Sequence, residues 1–220
     1  MASSGAHLGD QKSVLVGTWV NAAVAIVVVA FRIIAKLKLR HVGSDDCAMF
    51  AALLFALTAS ILFTIALLVF GFGNGLDTRP HSDQVNAFKH YTIMQICSIT
   101  STCLGRVAFI LYLLPILSTR KFYKISLWML LVLQMAVNFV TVVLILAQCR
   151  DLDGIWDPLA EAETECLDEY VQLYFGYFQC TCNSLTGLIL SVYPSYIFWN
   201  LKLRRRVKIS LIALTSLGLL

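Results

Sequence analysis

The chain has 220 residues, of which 59% are hydrophobic and 14% charged, with a formal net charge of +4 and a mean hydropathy of +0.78. Ordinary globular domains are about 45–50% apolar and about 25% charged, and a soluble domain this apolar would expose large patches and aggregate. Composition therefore excludes soluble enzymes, nucleic-acid readers and disordered linkers, and makes lipid the solvent for most of the surface.

A bilayer core about 30 Å thick takes about 20 apolar residues per helical span. Residues 1–12 lack a basic n-region and a small-residue cleavage site. They read as an extracytoplasmic N-terminus, and residues 13–220 as one transmembrane bundle. The uncharged run Ser13–Phe31 predicts a first span over 13–35, an uncleaved anchor and not a signal peptide. A second span is predicted over 47–71. Ser44, Asp45 and Asp46 open it, as a serine cap and two acids at the positive end of a helix dipole would. Docking of a cytoplasmic partner is the alternative role for Asp45 and Asp46. The segment FGFGNG at 70–75 closes that span as a turn, and lacks the strand–glycine–helix setting of a phosphate loop. Further spans are predicted over 90–117, interrupted only by Arg106, over 125–148 and over 170–199. The last apolar piece, 209–220, covers about 18 Å, too short to cross; it is either a stub or, the favoured reading, the start of a sixth span in a longer protein. Strand-like alternation is missing from these runs, which favours helices over a barrel. The fold class is all-α: a polytopic transmembrane helical bundle with five full spans plus an incomplete sixth.

Charge sets the expected orientation. Twelve of the 17 basic residues fall in three segments, 32–40, 120–124 and 202–208, where Asp45 and Asp46 are the nearest acids. The other 11 acids lie on the opposite side. The positive-inside rule then places the N-terminus outside and the basic loops in the cytoplasm. These loops could contact a cytoplasmic signalling partner, and LKLRRR at 201–206 could also attract anionic lipid.

The outer segment Cys149–Glu169 carries eight acids against Arg150. Cys149 and Cys166 enclose most of it on the oxidising side, so a disulfide between them is expected. The acids have no calcium-loop spacing and read as solvated charge. Cys47, Cys97, Cys103, Cys180 and Cys182 lie in or at spans as small apolar residues. The four histidines show no ligand spacing, so neither a metal nor another cofactor is expected. A retinal pigment would need a Schiff-base lysine inside a span, and none of the five has one.

Arg106 is the main pointer to function. A charge at a helix centre costs about 2.5–3.5 kcal/mol on insertion, so it should face the bundle. Counting from span ends places Asn138 and Asn183 at its depth, with Asn21, Gln95, Gln134 and Gln179 nearer the outer half. Two readings stand: a cavity lined by Arg106, Asn138 and Asn183, or interhelical hydrogen bonds worth about 0.6 kcal/mol each. No acid lies inside any complete span. Pro115 and Pro194 within predicted helices mark expected kinks.

In order, GSDDCAMF (43–50), FGFG (70–73), CLGRVAFILYLLPIL (103–117), Cys149 with IWDP and Cys166, NSLT (183–186) and Pro194 with FWNLKLRRRVKISL resemble the fungal rhodopsin-like domain. This is a family of seven-span integral membrane proteins with receptor-like members and members encoded near secondary-metabolite genes. The resemblance covers about residues 32–215, and its sixth and seventh spans would lie beyond the stub. It implies that Cys149 and Cys166 are the outer-loop cysteines, with Trp156, Asp157 and Pro158 between them, and that Asp45 and Asp46 are the paired acids. Arg106 stands where the family usually has lysine. Gly187 stands where it often has aspartate, which removes one intramembrane partner for Arg106. The rhodopsin name reflects architecture and does not imply retinal.

The expected function is that of an integral membrane protein of receptor-like architecture, sensing a small ligand or serving as a scaffold. Its expected location is the plasma membrane or another membrane of the secretory pathway. The alternatives are a transporter or accessory membrane protein of a secondary-metabolite pathway, and a membrane-embedded enzyme. The chain shows no internal repeat of the kind many transporters have. Nor does it place a nucleophile beside a base, and it is expected not to be an enzyme.

Overall fold

The computed structural model describes residues 3–39, 44–71, 80–117, 121–150, 153–157 and 166–200. These form five long helices and one short one. They are α1 (Ser3–Leu39), α2 (Ser44–Leu68), α3 (His81–Leu117), α4 (Lys121–Leu146), α5 (Asp153–Trp156) and α6 (Glu169–Asn200). Four segments are long and apolar enough to cross a membrane: Lys12–Ile34, Asp45–Leu68, His81–Leu114 and Lys124–Leu146. At about 1.5 Å per residue each exceeds the roughly 30 Å of a hydrocarbon core. The all-α expectation is met, and the long helices fall on the apolar runs. The stub at 209–220 and the basic cluster at 202–208 lie outside the described residues.

Helix ends follow local chemistry. Pro80 supplies the carbonyl that accepts the first amides of α3, from Asp83 at 2.9 Å and Gln84 at 3.3 Å. α2 stops before Gly71, whose φ of 69° is the left-handed conformation that glycine adopts at low cost. The helix bounds enclose both Pro115 and Pro194.

The long helices pack as sequential neighbours, α1 on α2, α2 on α3, α3 on α4 and α4 on α6, with α2–α3 the most extensive contact. Ala52, Ala59 and Ala66 are buried at seven-residue steps along α2, and Ala87 and Ala108 are buried on α3. Such small side chains let backbones approach closely. The Ser101 hydroxyl accordingly reaches across to donate to the Ala52 carbonyl at 2.7 Å. Between α1 and α2, the Trp19 indole donates to Thr64 Oγ1 at 3.2 Å. A compact apolar cluster, Ile110, Leu113, Leu127 and Leu190, ties α3, α4 and α6 together.

Burial is inverted relative to a water-soluble domain. Gln134, Asn138, Thr141, Gln179 and Thr186 are buried, while Phe31, Phe122, Phe139 and Tyr174 are largely exposed. Water would penalise that arrangement on both counts, whereas lipid favours it.

Candidate functional site

Three helices build the site. On α3, Cys103, Arg106, Ile110 and Leu113 fall on one stripe at helical spacing. α4 buries Leu127, Gln134, Asn138, Thr141 and Ile145 on its own stripe, and α6 buries Gln179, Thr186 and Leu190. Gln134 and Asn138 lie close to the midpoint of the apolar stretch Lys124–Leu146.

α4 and α6 run antiparallel, and their amides pair in register. Gln134 Nε2 donates to Asn183 Oδ1 at 2.8 Å. One turn on along α4 and one turn back along α6, Gln179 Nε2 donates to Asn138 Oδ1 at 3.3 Å. Asn138 Nδ2 also donates to the Gln134 carbonyl at 2.7 Å. Arg106 enters this ladder from α3: its Nη1 donates to Gln134 Oε1 at 3.1 Å and to Asn183 Oδ1 at 2.5 Å. On the far side from the disulfide, Ile110, Leu113, Leu127 and Leu190 form an apolar floor.

Of the three residues singled out from the sequence, Arg106 and Asn183 are in direct contact, and Asn138 joins them through Gln134. Gln134 and Gln179 complete the group, although counting from span ends had set them nearer the outer half. Their spacing carried the missed signal: Gln134 and Asn138, like Gln179 and Asn183, stand four apart on one helix face. A groove of about 610 Å³ opens elsewhere, between α1, α2 and α3, beside Ser60, Ser98 and Ser101. None of the three predicted residues lines it.

A second polar cluster joins the opposite end of the bundle. Asp45 and Asp46 occupy the first turn of α2. Asp45 Oδ2 accepts from Arg32 Nη2 at 2.8 Å, and Asp46 Oδ1 stands 3.8 Å from Arg32 Nε. The same guanidinium lies 4.7 Å from the centre of the Tyr112 ring. Arg32 thus fastens α1 to α2 and α3. The sequence offered its charge only as a topology signal.

At the disulfide end, Cys149 and Cys166 are bonded, with Cα atoms 4.0 Å apart. Leu167 N donates to the Gln148 carbonyl at 2.7 Å beside them. α5 rests on the first turns of α3: His81 Nε2 and Asp157 Oδ1 are 2.9 Å apart, and Lys89 Nζ lies 5.3 Å above the Trp156 ring. Part of the acidic loop is therefore anchored.

The family model for the fungal rhodopsin domain matches residues 31–220. The chain belongs to the fungal rhodopsin domain family. Among curated proteins and among solved structures, none matches it. The stretch matching the fungal rhodopsin domain encloses Arg32 with its two carboxylates, the Arg106 cluster and the disulfide. Membership, apolar helices and the inverted burial establish a membrane protein. Within this fungal rhodopsin domain, Gly187 stands one turn from Asn183, and a Cβ there would meet nothing within 4 Å.

Proposed function

We propose that this chain is a receptor-like membrane protein that binds a small lipophilic ligand at the Arg106 cluster. Five helices cross the bilayer with the N-terminus outside, in the plasma membrane or another membrane of the secretory pathway. The disulfide supports that orientation, because it belongs on the oxidising side and lies at the end away from Arg32 and Asp45. The basic loops would meet a cytoplasmic partner, and no catalytic step is assigned to the chain.

One observation carries the reading: a cation near the middle of the bundle has only amide oxygens as partners among the described residues. Amide pairs such as Gln179–Asn138 join two helices without any charge. A guanidinium costs far more to insert, so it is poor glue and a good ligand anchor.

The test uses purified protein in nanodiscs. Thermal unfolding is followed against a panel of uncharged and anionic lipophilic molecules, for the wild type and Arg106→Leu. Ligand-dependent shifts present in the wild type and lost in the variant support the reading. A variant that is more stable and keeps every shift of the wild type overturns it. Substrate flux in reconstituted vesicles, absent for a receptor, would instead identify a transporter.

A further inference from the structure

Arg106 carries five N–H donors, spread over Nε, Nη1 and Nη2. Both contacts to the amide ladder come from Nη1. Nε and Nη2 make no hydrogen bond with any described residue. Those two nitrogens share one edge of the guanidinium, the fork that fits the two oxygens of a carboxylate.

Among the described residues none supplies a carboxylate there. Within the 220 residues no acid stands between Asp46 and Asp77, between Asp83 and Asp151, or after Glu169. Two glycines flank the cluster, Gly105 beside Arg106 and Gly187 one turn from Asn183, and a Cβ at either would meet nothing within 4 Å. No Cβ occupies the helix surface at either glycine, and the apolar cluster of Ile110, Leu113, Leu127 and Leu190 lies towards one end of the ladder.

We infer that Arg106 is the anchor for an amphiphilic monocarboxylate, an acid with an apolar body that reaches the site from the bilayer. The inference rests on the ligand-binding reading above and names its ligand class. One cation calls for one negative charge, so a dianionic phosphate monoester would leave a net charge in lipid. The site is about half a core thickness, roughly 15 Å, from either surface. That depth suits a molecule with an apolar body and disfavours a lipid headgroup, which stays at the interface.

The experiment uses the whole chain in zwitterionic phosphatidylcholine nanodiscs at alkaline pH, with dodecanoate, methyl dodecanoate, dodecanol and sodium chloride as probes. Dodecanoate is expected to raise the unfolding temperature, and the ester and the alcohol to leave it unchanged. Arg106→Gln should weaken dodecanoate binding at least about tenfold, the usual scale for losing a charged hydrogen bond. Arg106→Lys should retain part of it. Asn183→Asp places a carboxylate where an oxygen already accepts from Nη1, so it should keep the fold and lose the dodecanoate shift. That variant keeps the test decisive where Arg106→Gln fails to fold.

Equal shifts by acid, ester and alcohol, all lost in Arg106→Gln, would overturn the carboxylate assignment and leave the ligand-binding reading standing. Shifts that persist in both Arg106→Gln and Asn183→Asp would overturn both. Stabilisation by chloride, with nothing added by dodecanoate, would assign the site to an inorganic anion and overturn the inference.

Discussion

Replacing both Cys149 and Cys166 by serine removes the cross-link and leaves no unpaired thiol from the pair. The bonded residues are 17 apart in sequence. In the chain-entropy treatment a loop of that length restricts the unfolded ensemble by about 3 kcal/mol. That corresponds to roughly a 150-fold change in the folding equilibrium. The contacts of α5 with α3 and the Leu167–Gln148 hydrogen bond are non-covalent, and they remain in the folded variant. The loss should therefore appear in stability and leave ligand binding at Arg106 intact. Unfolding by sodium dodecyl sulfate in mixed micelles, followed by tryptophan fluorescence, measures it. A loss below about 1 kcal/mol would refute the loop-entropy argument. It would mean that α4 and α6, still helical and membrane-confined when unpacked, already hold the loop ends together.

Four further substitutions test the packing. Arg32 meets Asp45 at 2.8 Å and Asp46 at 3.8 Å. Asp45→Asn removes the closer charge and should cost about 2 kcal/mol. Asp46→Asn should cost less than half of that in the same titration, and the reverse order would contradict the geometry. Leu127→Ala, deep in the apolar cluster, should cost about 2–5 kcal/mol. Phe139 is 71% exposed. It should tolerate alanine at under about 1 kcal/mol in a bilayer, because lipid tails replace the lost ring contacts. A large loss at Phe139 would show that protein covers that face.

Helix positions were legible because length and apolarity determine a span almost independently of tertiary structure. The disulfide was legible for a similar reason: Cys149 and Cys166 enclose the acidic loop on the side that the charge asymmetry reads as oxidising, and the two are bonded. Depth was less legible than identity. Counting from span ends set Gln134 and Gln179 apart from Arg106, but depth depends on how α4 slides against α6, and that register is fixed by pairs such as Gln134–Asn183 and Asn138–Gln179. The Arg32 cluster was hidden for another reason. A basic residue at a span end already has a sufficient role in topology, and its partners Asp45 and Tyr112 sit on other helices, beyond the reach of any local pattern. Asp45 and Asp46 kept their place at the helix N-terminus and gained a partner that the sequence does not show.

The two arginines divide the labour of the bundle along its axis. Arg32 meets carboxylates and an aromatic ring, so its charge is matched within the chain, and it fastens three helices at one end. Arg106 meets only the amide oxygens of Gln134 and Asn183 among the described residues. Those amides also bond to each other, so the α4–α6 contact would persist if a leucine replaced Arg106. Stability alone therefore gives little reason for a cation at that depth, where insertion costs about 2.5–3.5 kcal/mol. If a monoanion occupied the free edge, as inferred above, the site would be neutral and that cost would be offset. Binding would then pull α3 towards α4 and α6 at the ladder while Arg32 holds the far end of α3 in place. A ligand of that kind would then have leverage on the helix that links the site to the basic segment at 120–124.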